Sequence, residues 1–238
     1  MANFNTHLNV AFAASGIAAL TVYKAGLIED SGFLLCVALG TMGGLLPDLD
    51  SDNSTPIKIG FNMASFVFAF GLVMHWRNDL SLIALVALWL AGYGFMRYIV
   101  FNLFTSMTVH RGVIHSVPYM AVLGLGLVSL SYYVLGNALA ASWFFGLFLF
   151  GGALVHLALD ELYSVNLMGM KMKRSSGTAM KFYQHKDKWW YLSLYLLIAL
   201  LIYFAPPFAE FWQQLRDPAP WTQLKVGMLP NIVEDFLQ

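Results

Sequence analysis

The stretch ALAASWFFGLFLFGGALVHLALD, residues 138–160, decides the architecture. From Ala138 to Val155 it carries no ionisable side chain. A helix rises about 1.5 Å per residue, so about 20 apolar residues cross the hydrocarbon core of a bilayer. This stretch is long enough to do so. It ends on His156 and Asp160, four positions apart, which places both side chains on one helix face with Cβ atoms about 6 Å apart. One segment therefore offers both a membrane span and, at its end, two side chains of metal-ligand type.

The rest of the chain repeats the pattern. Of its 238 residues, 59% are apolar and 11% charged, against about 25% charged in a soluble domain, so a water-facing surface cannot be covered. The spans read as Leu8–Ile28, Gly32–Leu46, Ile59–Trp76, Leu80–Phe104, Val117–Leu135, Ala138–Leu159 and Trp189–Phe204, which makes seven. The expected fold is an all-α polytopic bundle. Residues 1–204 form the bundle with its site, and 205–238 form a C-terminal tail, interfacial or periplasmic. The second span is short, with Gly40, Gly43 and Gly44 before Pro47, and small residues of this kind let helix backbones approach closely. No Lys or Arg precedes the first span and its apolar run is long, so it is not expected to be a cleaved signal. In the tail, Phe208, Phe211, Trp212 and Leu215 fall at helical spacing.

Charge excludes some classes and sets orientation. Lysines and arginines balance acidic residues at 13 each, so nothing points to nucleic acid as a partner. The single Cys36 sits in an apolar run, which excludes a disulfide framework or a thiolate zinc cluster. Lys58, Arg97, Arg111, Lys171, Lys173, Arg174, Lys181, Lys186 and Lys188 fall on the face where the chain begins. Only Lys24, Arg77, Arg216 and Lys225 fall opposite. Nine against four makes the first face cytoplasmic.

The metal-ligand residue types converge on that same face. His7 precedes the first span, and Asp48 and Asp50 end the second in Pro47-Asp48-Leu49-Asp50. His110 and His115 precede the fifth in His110-Arg111-Gly112-Val113-Ile114-His115-Ser116, and His156 and Asp160 end the sixth. Pro47 marks a break from which both aspartates can turn inward along an extended segment. Ser116 reads as a helix cap with Pro118 in the first turn, so the fifth helix would aim its N-terminal N–H groups at the site, a favourable place for phosphate.

Ionisable groups near a membrane are costly unless paired or coordinated, so four segments delivering four imidazoles and three carboxylates argue for a metal site. His75 and His185 read as interfacial or packed histidines. Arg97 either pairs with Asp48 or Asp50 or snorkels, and Arg111 is placed to hold a phosphate bidentately. The cationic run Lys171–Lys188 reports orientation and touches anionic lipid headgroups, with recruitment of an anionic substrate as the alternative, and Trp189, Trp190 and Tyr191 form an interfacial belt. Cys36 is about 12 residues, roughly 18 Å, from Asp48 and too distant to be a ligand.

A His/Asp set without thiolate suits zinc, manganese or ferrous iron rather than calcium or magnesium. Seven candidate ligands exceed one tetrahedral ion, so a pair of ions bridged by Asp48 or Asp50 accounts for them better. The expected chemistry is hydrolysis of a lipid phosphate or phosphodiester at the cytoplasmic interface, with Asp50, His110, Arg111 and His115 in catalytic roles. The alternatives are a metal-stabilised scaffold or regulator without turnover, and an ion transporter.

These ordered motifs resemble the YdjM-like inner-membrane metal-dependent hydrolases, a family regarded as distantly similar to the zinc-dependent phospholipase C enzymes. The resemblance covers roughly residues 1 to 175. It implies that His7, Asp48, Asp50, His110, His115, His156 and Asp160 occupy the family's metal positions, and it implies a bacterial inner membrane and a hydrolase. Two positions depart from the family pattern: Ser51 stands where a histidine is usual, and Ile114 where threonine is common.

Overall fold

The computed structural model describes residues 3–48, 55–102, 113, 115–166, 171–172 and 180–226. Asp50, His110 and Arg111 lie outside them. Nine α-helices are described: α1 Phe4–Lys24, α2 Asp30–Gly43, α3 Thr55–Trp76, α4 Leu82–Gly94, α5 Val117–Ser129, α6 Leu139–Ser164, α7 Lys188–Tyr203, α8 Phe208–Arg216 and α9 Pro218–Val226. The only strands among the described residues are two-residue segments, Val165–Asn166 paired antiparallel with Lys171–Met172. The protein is an all-α helical bundle, as expected.

Among the described residues, five helical segments are long and apolar enough to cross a membrane on their own, and six if a bent pair counts as one span. The pair is His185–Tyr203 with Phe208–Thr222, bent by 74°. The sequence expectation of seven thus stands at five or six by length and composition. Each expected span nonetheless coincides with a helix. The last is the least autonomous, since α7 has 16 residues and completes a span only with its bent continuation.

Local chemistry explains the helix ends. Asn3 caps α1, its Oδ1 accepting from the Thr6 N–H at 2.8 Å. Gly26, at φ 71°, turns the chain into the α1–α2 connection, a left-handed conformation that a glycine adopts without cost. Ser116 caps α5 as the sequence indicates, with Pro118 in the first turn. Two helices end in a widened turn of π-type hydrogen bonding, α4 over Phe95–Val100 and α5 over Leu130–Val134.

Helix α6 is the axis of the bundle and packs on α1, α2 and α5, while α7 packs on α5 and α3 pairs with α4. The buried face of α1 is His7, Ala11, Ser15 and Ala19, three small residues following the histidine at four-residue steps. Against it lies the glycine face of α2. A Cβ on Gly44 would fall on Ala11, and one on Gly152 of α6 would fall on the Gly40 carbonyl. Close backbone approach of this kind is how helices associate where lipid provides no hydrophobic drive. It fixes the ends of α1 and α2 against α6 at the level of His7, Gly44 and His156.

At the other end of α6, Trp143 and Phe144 receive the tail. Helix α8 folds back so that Phe211, 1% exposed, stacks on Trp143 with centroids 5.7 Å apart and meets Phe144 edge-on at 5.2 Å. Cys36 is buried in this same cluster. The helical spacing of Phe208, Phe211, Trp212 and Leu215 is thus a real helix, and Phe211 faces protein.

Candidate metal centre

Two helix ends and one turn build the centre. Helix α1 presents His7 from its first turns. Helix α6 presents His156 and Asp160 from its last. The chain leaving α2 presents Asp48 from a tight 3-10 turn, Leu46–Asp48. Pro47 does break the helix, but the backbone it sets is this turn and not the extended segment expected from the sequence. The turn has a physical basis, since Asp48 N–H donates to Leu45 O at 3.2 Å and Pro47 has no N–H to extend the helix.

The imidazoles of His7 and His156 stack with centroids 3.7 Å apart and planes 15° from parallel. Both residues are buried, at 1% and 0% exposure. His156 Nδ1 donates to the Gly44 carbonyl at 2.7 Å, which fixes the tautomer and turns the lone pair of Nε2 toward carboxylates. That nitrogen lies 3.5 Å from Asp48 Oδ1 and 3.6 Å from Asp160 Oδ2. The other Asp160 oxygen, Oδ1, lies 3.3 Å from His7 Nε2. His115 stands at the edge, its ring centroid 6.1 Å from that of His156.

This arrangement is incomplete as a set of hydrogen bonds. His156 Nε2 and both nitrogens of His7 are buried without a hydrogen-bond partner among the described residues. A lone pair facing carboxylate oxygens is repulsive unless a cation lies between them. Protons would supply charge, but ionic hydrogen bonds close to about 2.7–2.9 Å, and two stacked imidazolium rings repel. A metal ion satisfies the distances better. Donors each about 2.0–2.2 Å from one tetrahedral ion stand about 3.3–3.6 Å apart, the spacing of the three His–Asp pairs. His7, His156 and Asp160 present ligand atoms within 4.8 Å of one another and could hold a metal ion. Asp48, with its side chain 29% exposed, opens the centre on one side.

The structure thus brings together five of the seven residues read from sequence as ligands: His7, Asp48, His156 and Asp160 in contact, and His115 beside them. Asp50 and His110 lie outside the described residues, as does Arg111. Gly44, whose carbonyl orients His156, escaped the sequence reading. Its signal was the glycine-rich end of α2, read only for close packing. The N-terminus of α5 differs from expectation. Val117 N–H donates to Lys181 O at 3.0 Å, Pro118 has none, Tyr119 N–H donates to the Ser116 hydroxyl at 3.4 Å, and Met120 N–H donates to Ser116 O at 3.2 Å. The first turn is satisfied internally and leaves no N–H for a phosphate. Arg97, in the π-type turn of α4, lies with its guanidinium 4.6 Å from the centroid of the Phe101 ring. His75 packs at the Gly136 turn, and His185 meets Tyr183 edge-on, neither of them in the centre.

Residues 1–214 match the model of the family described as YdjM inner membrane protein. The chain belongs to that family. The match takes in the whole centre and extends past the reach of the motifs, through α7 and most of α8. No curated protein and no solved structure matches the chain. Family and helices together make this a multi-pass membrane protein, of a family named for the inner membrane, with a His/Asp cluster able to hold a metal ion.

Proposed function

We propose that the chain is a membrane-embedded, metal-dependent hydrolase acting on a phosphate or phosphodiester of a membrane lipid at the cytoplasmic interface, with zinc as the resident ion. The observation that carries this reading is the buried set His7, His156 and Asp160, in which both His7 nitrogens and His156 Nε2 lack a hydrogen-bond partner among the described residues, and the two Nε2 atoms stand 3.3 and 3.6 Å from the Asp160 oxygens they face. A divalent ion bound there would supply Lewis acidity to a phosphoryl oxygen and to water.

The chain's own residues do the rest. The Gly44 carbonyl holds His156 in the tautomer that presents Nε2. Asp160 offers one oxygen to each imidazole and sets the charge of the centre. Asp48 and the half-buried His115 lie on the accessible side, where a headgroup would enter. Asp50, His110 and Arg111 join this reading on their sequence motifs, Arg111 as a bidentate phosphate clamp. The test is hydrolysis of lipid phosphates by purified protein with and without chelator, in wild type, Asp50→Asn and His156→Ala. Metal-dependent turnover lost in both variants supports the proposal, and equal turnover in all three refutes it.

A second reading has its own observation. The centre joins α1, the end of α2 and α6 through His7–Asp160 and His156–Gly44, as a structural tie would. Under that reading chelation lowers thermal stability while no lipid is hydrolysed.

A further inference from the structure

The segment 180–189 is fastened beside the metal centre yet turns its aromatic and cationic side chains outward. Val117 N–H donates to Lys181 O at 3.0 Å, and Ser116, next to His115, pairs with Lys181 as an isolated parallel bridge. The Tyr195 hydroxyl donates to Phe182 O at 2.8 Å, and the Tyr183 ring meets buried Tyr191 at 5.6 Å. The backbone is therefore held to α5 at Lys181 and to α7 at Phe182, and the Tyr183 ring adds a contact to α7.

What this strap displays is unusual for a merely structural connection. Phe182 is 58% exposed, Tyr183 50% and Trp189 69%. The same strap carries Lys181, Lys186 and Lys188 against a single Asp187, and Lys188 Nζ lies 5.4 Å from the Trp189 ring centroid. Exposed aromatic rings interleaved with lysines are the chemistry of a bilayer interface. The rings settle at headgroup depth, and each lysine near an acidic surface adds about a five-fold preference for it.

We infer that the strap Met180–Trp189 is a docking element for acidic phospholipid headgroups, which it gathers at the mouth of the metal centre. Zwitterionic lipids satisfy the aromatic rings equally well, so the lysines decide the selection. The inference deepens the hydrolase reading by naming acidic phospholipids as the substrate class, but its test needs no turnover.

The experiment measures equilibrium binding of fluorescent phosphatidylglycerol and phosphatidylcholine to the detergent-solubilised full chain. It compares wild type, K186Q/K188Q, K186R/K188R and His156→Ala. Both lysines are exposed at the surface, so the double variant keeps its fold. The expected result is a preference for phosphatidylglycerol in wild type, kept in K186R/K188R and reduced about twenty-fold or more in K186Q/K188Q. Equal binding of the two lipids by wild type, or a preference that survives K186Q/K188Q, overturns the inference. His156→Ala separates the two proposals: a variant that retains the preference while lipid hydrolysis is absent even in wild type removes the hydrolase reading and leaves the docking element standing.

Discussion

Replacing Asp160 by Asn removes the one carboxylate that faces both imidazoles, through Oδ1 at 3.3 Å from His7 and Oδ2 at 3.6 Å from His156. The amide keeps the shape and loses the charge. Groups that only support metal ligands are worth about 10–100-fold in metal affinity, so a direct carboxylate ligand is worth at least about 100-fold. At a free zinc concentration about 100 times the wild-type dissociation constant, binding stabilises the fold by about 2.7 kcal/mol. The same zinc then only matches the dissociation constant of Asp160→Asn, and the gain falls to about 0.4 kcal/mol. For a chain of this size 1 kcal/mol moves Tm by about 2–4 °C, so zinc should raise Tm by about 5–11 °C in wild type and about 1 °C in the variant. The assay is thermal unfolding in detergent of chelator-stripped protein, with and without zinc. Each protein serves as its own reference, so any change in the metal-free fold cancels. A zinc-induced shift of equal size in both proteins refutes Asp160 as a ligand.

Other substitutions separate packing from metal binding. Gly152→Val drives a side chain into the Gly40 carbonyl and should cost about 1–3 kcal/mol, seen as a lower Tm without zinc, whereas Gly151→Ala, with open space around it, should be neutral or slightly stabilising. Phe211→Ala empties the slot against Trp143 and Phe144 at a cost of about 3–5 kcal/mol and should expose the chain after residue 205 to protease while leaving zinc binding intact. An imidazole binds an ion only through an unprotonated nitrogen, so zinc affinity should fall on acidification, measured by competition with a chromophoric chelator. A flat pH profile would remove the histidines from the coordination set.

The helices were legible because hydropathy is a local property, and the membrane leaves few ways to satisfy a backbone. Residues 138–160 announce a span, and the four-residue spacing of His156 and Asp160 places them on one face before any tertiary contact is known. Ser116 with Pro118 likewise marks the start of α5 from the side chains alone. What stayed hidden depends on contacts far apart in sequence. The bond from His156 to the Gly44 carbonyl spans 112 positions, and the stacking of His7 on His156 follows from how closely Ala11 and Gly44 let α1 and α2 approach. Capping chemistry predicted where α5 begins but not that Lys181 would take the Val117 N–H, which closes the helix end to phosphate. The 3-10 turn at Asp48 was misread as extended because proline at position 47 is compatible with either backbone. Among the described residues α7, too short alone, completes a span only with its bent continuation, and Ile59–Trp76 coincides with α3 but is not among the segments that pass by length and composition.

The most direct test of the metal centre is elemental analysis of bound metal per chain, on protein purified without chelator, comparing wild type with a His156→Ala/Asp160→Asn double variant. The expected result is one or two equivalents of zinc, manganese or iron in wild type, lost in the variant. Wild-type protein that is folded and carries no stoichiometric metal would contradict the metal reading and leave the His7–His156–Asp160 cluster as a buried polar network.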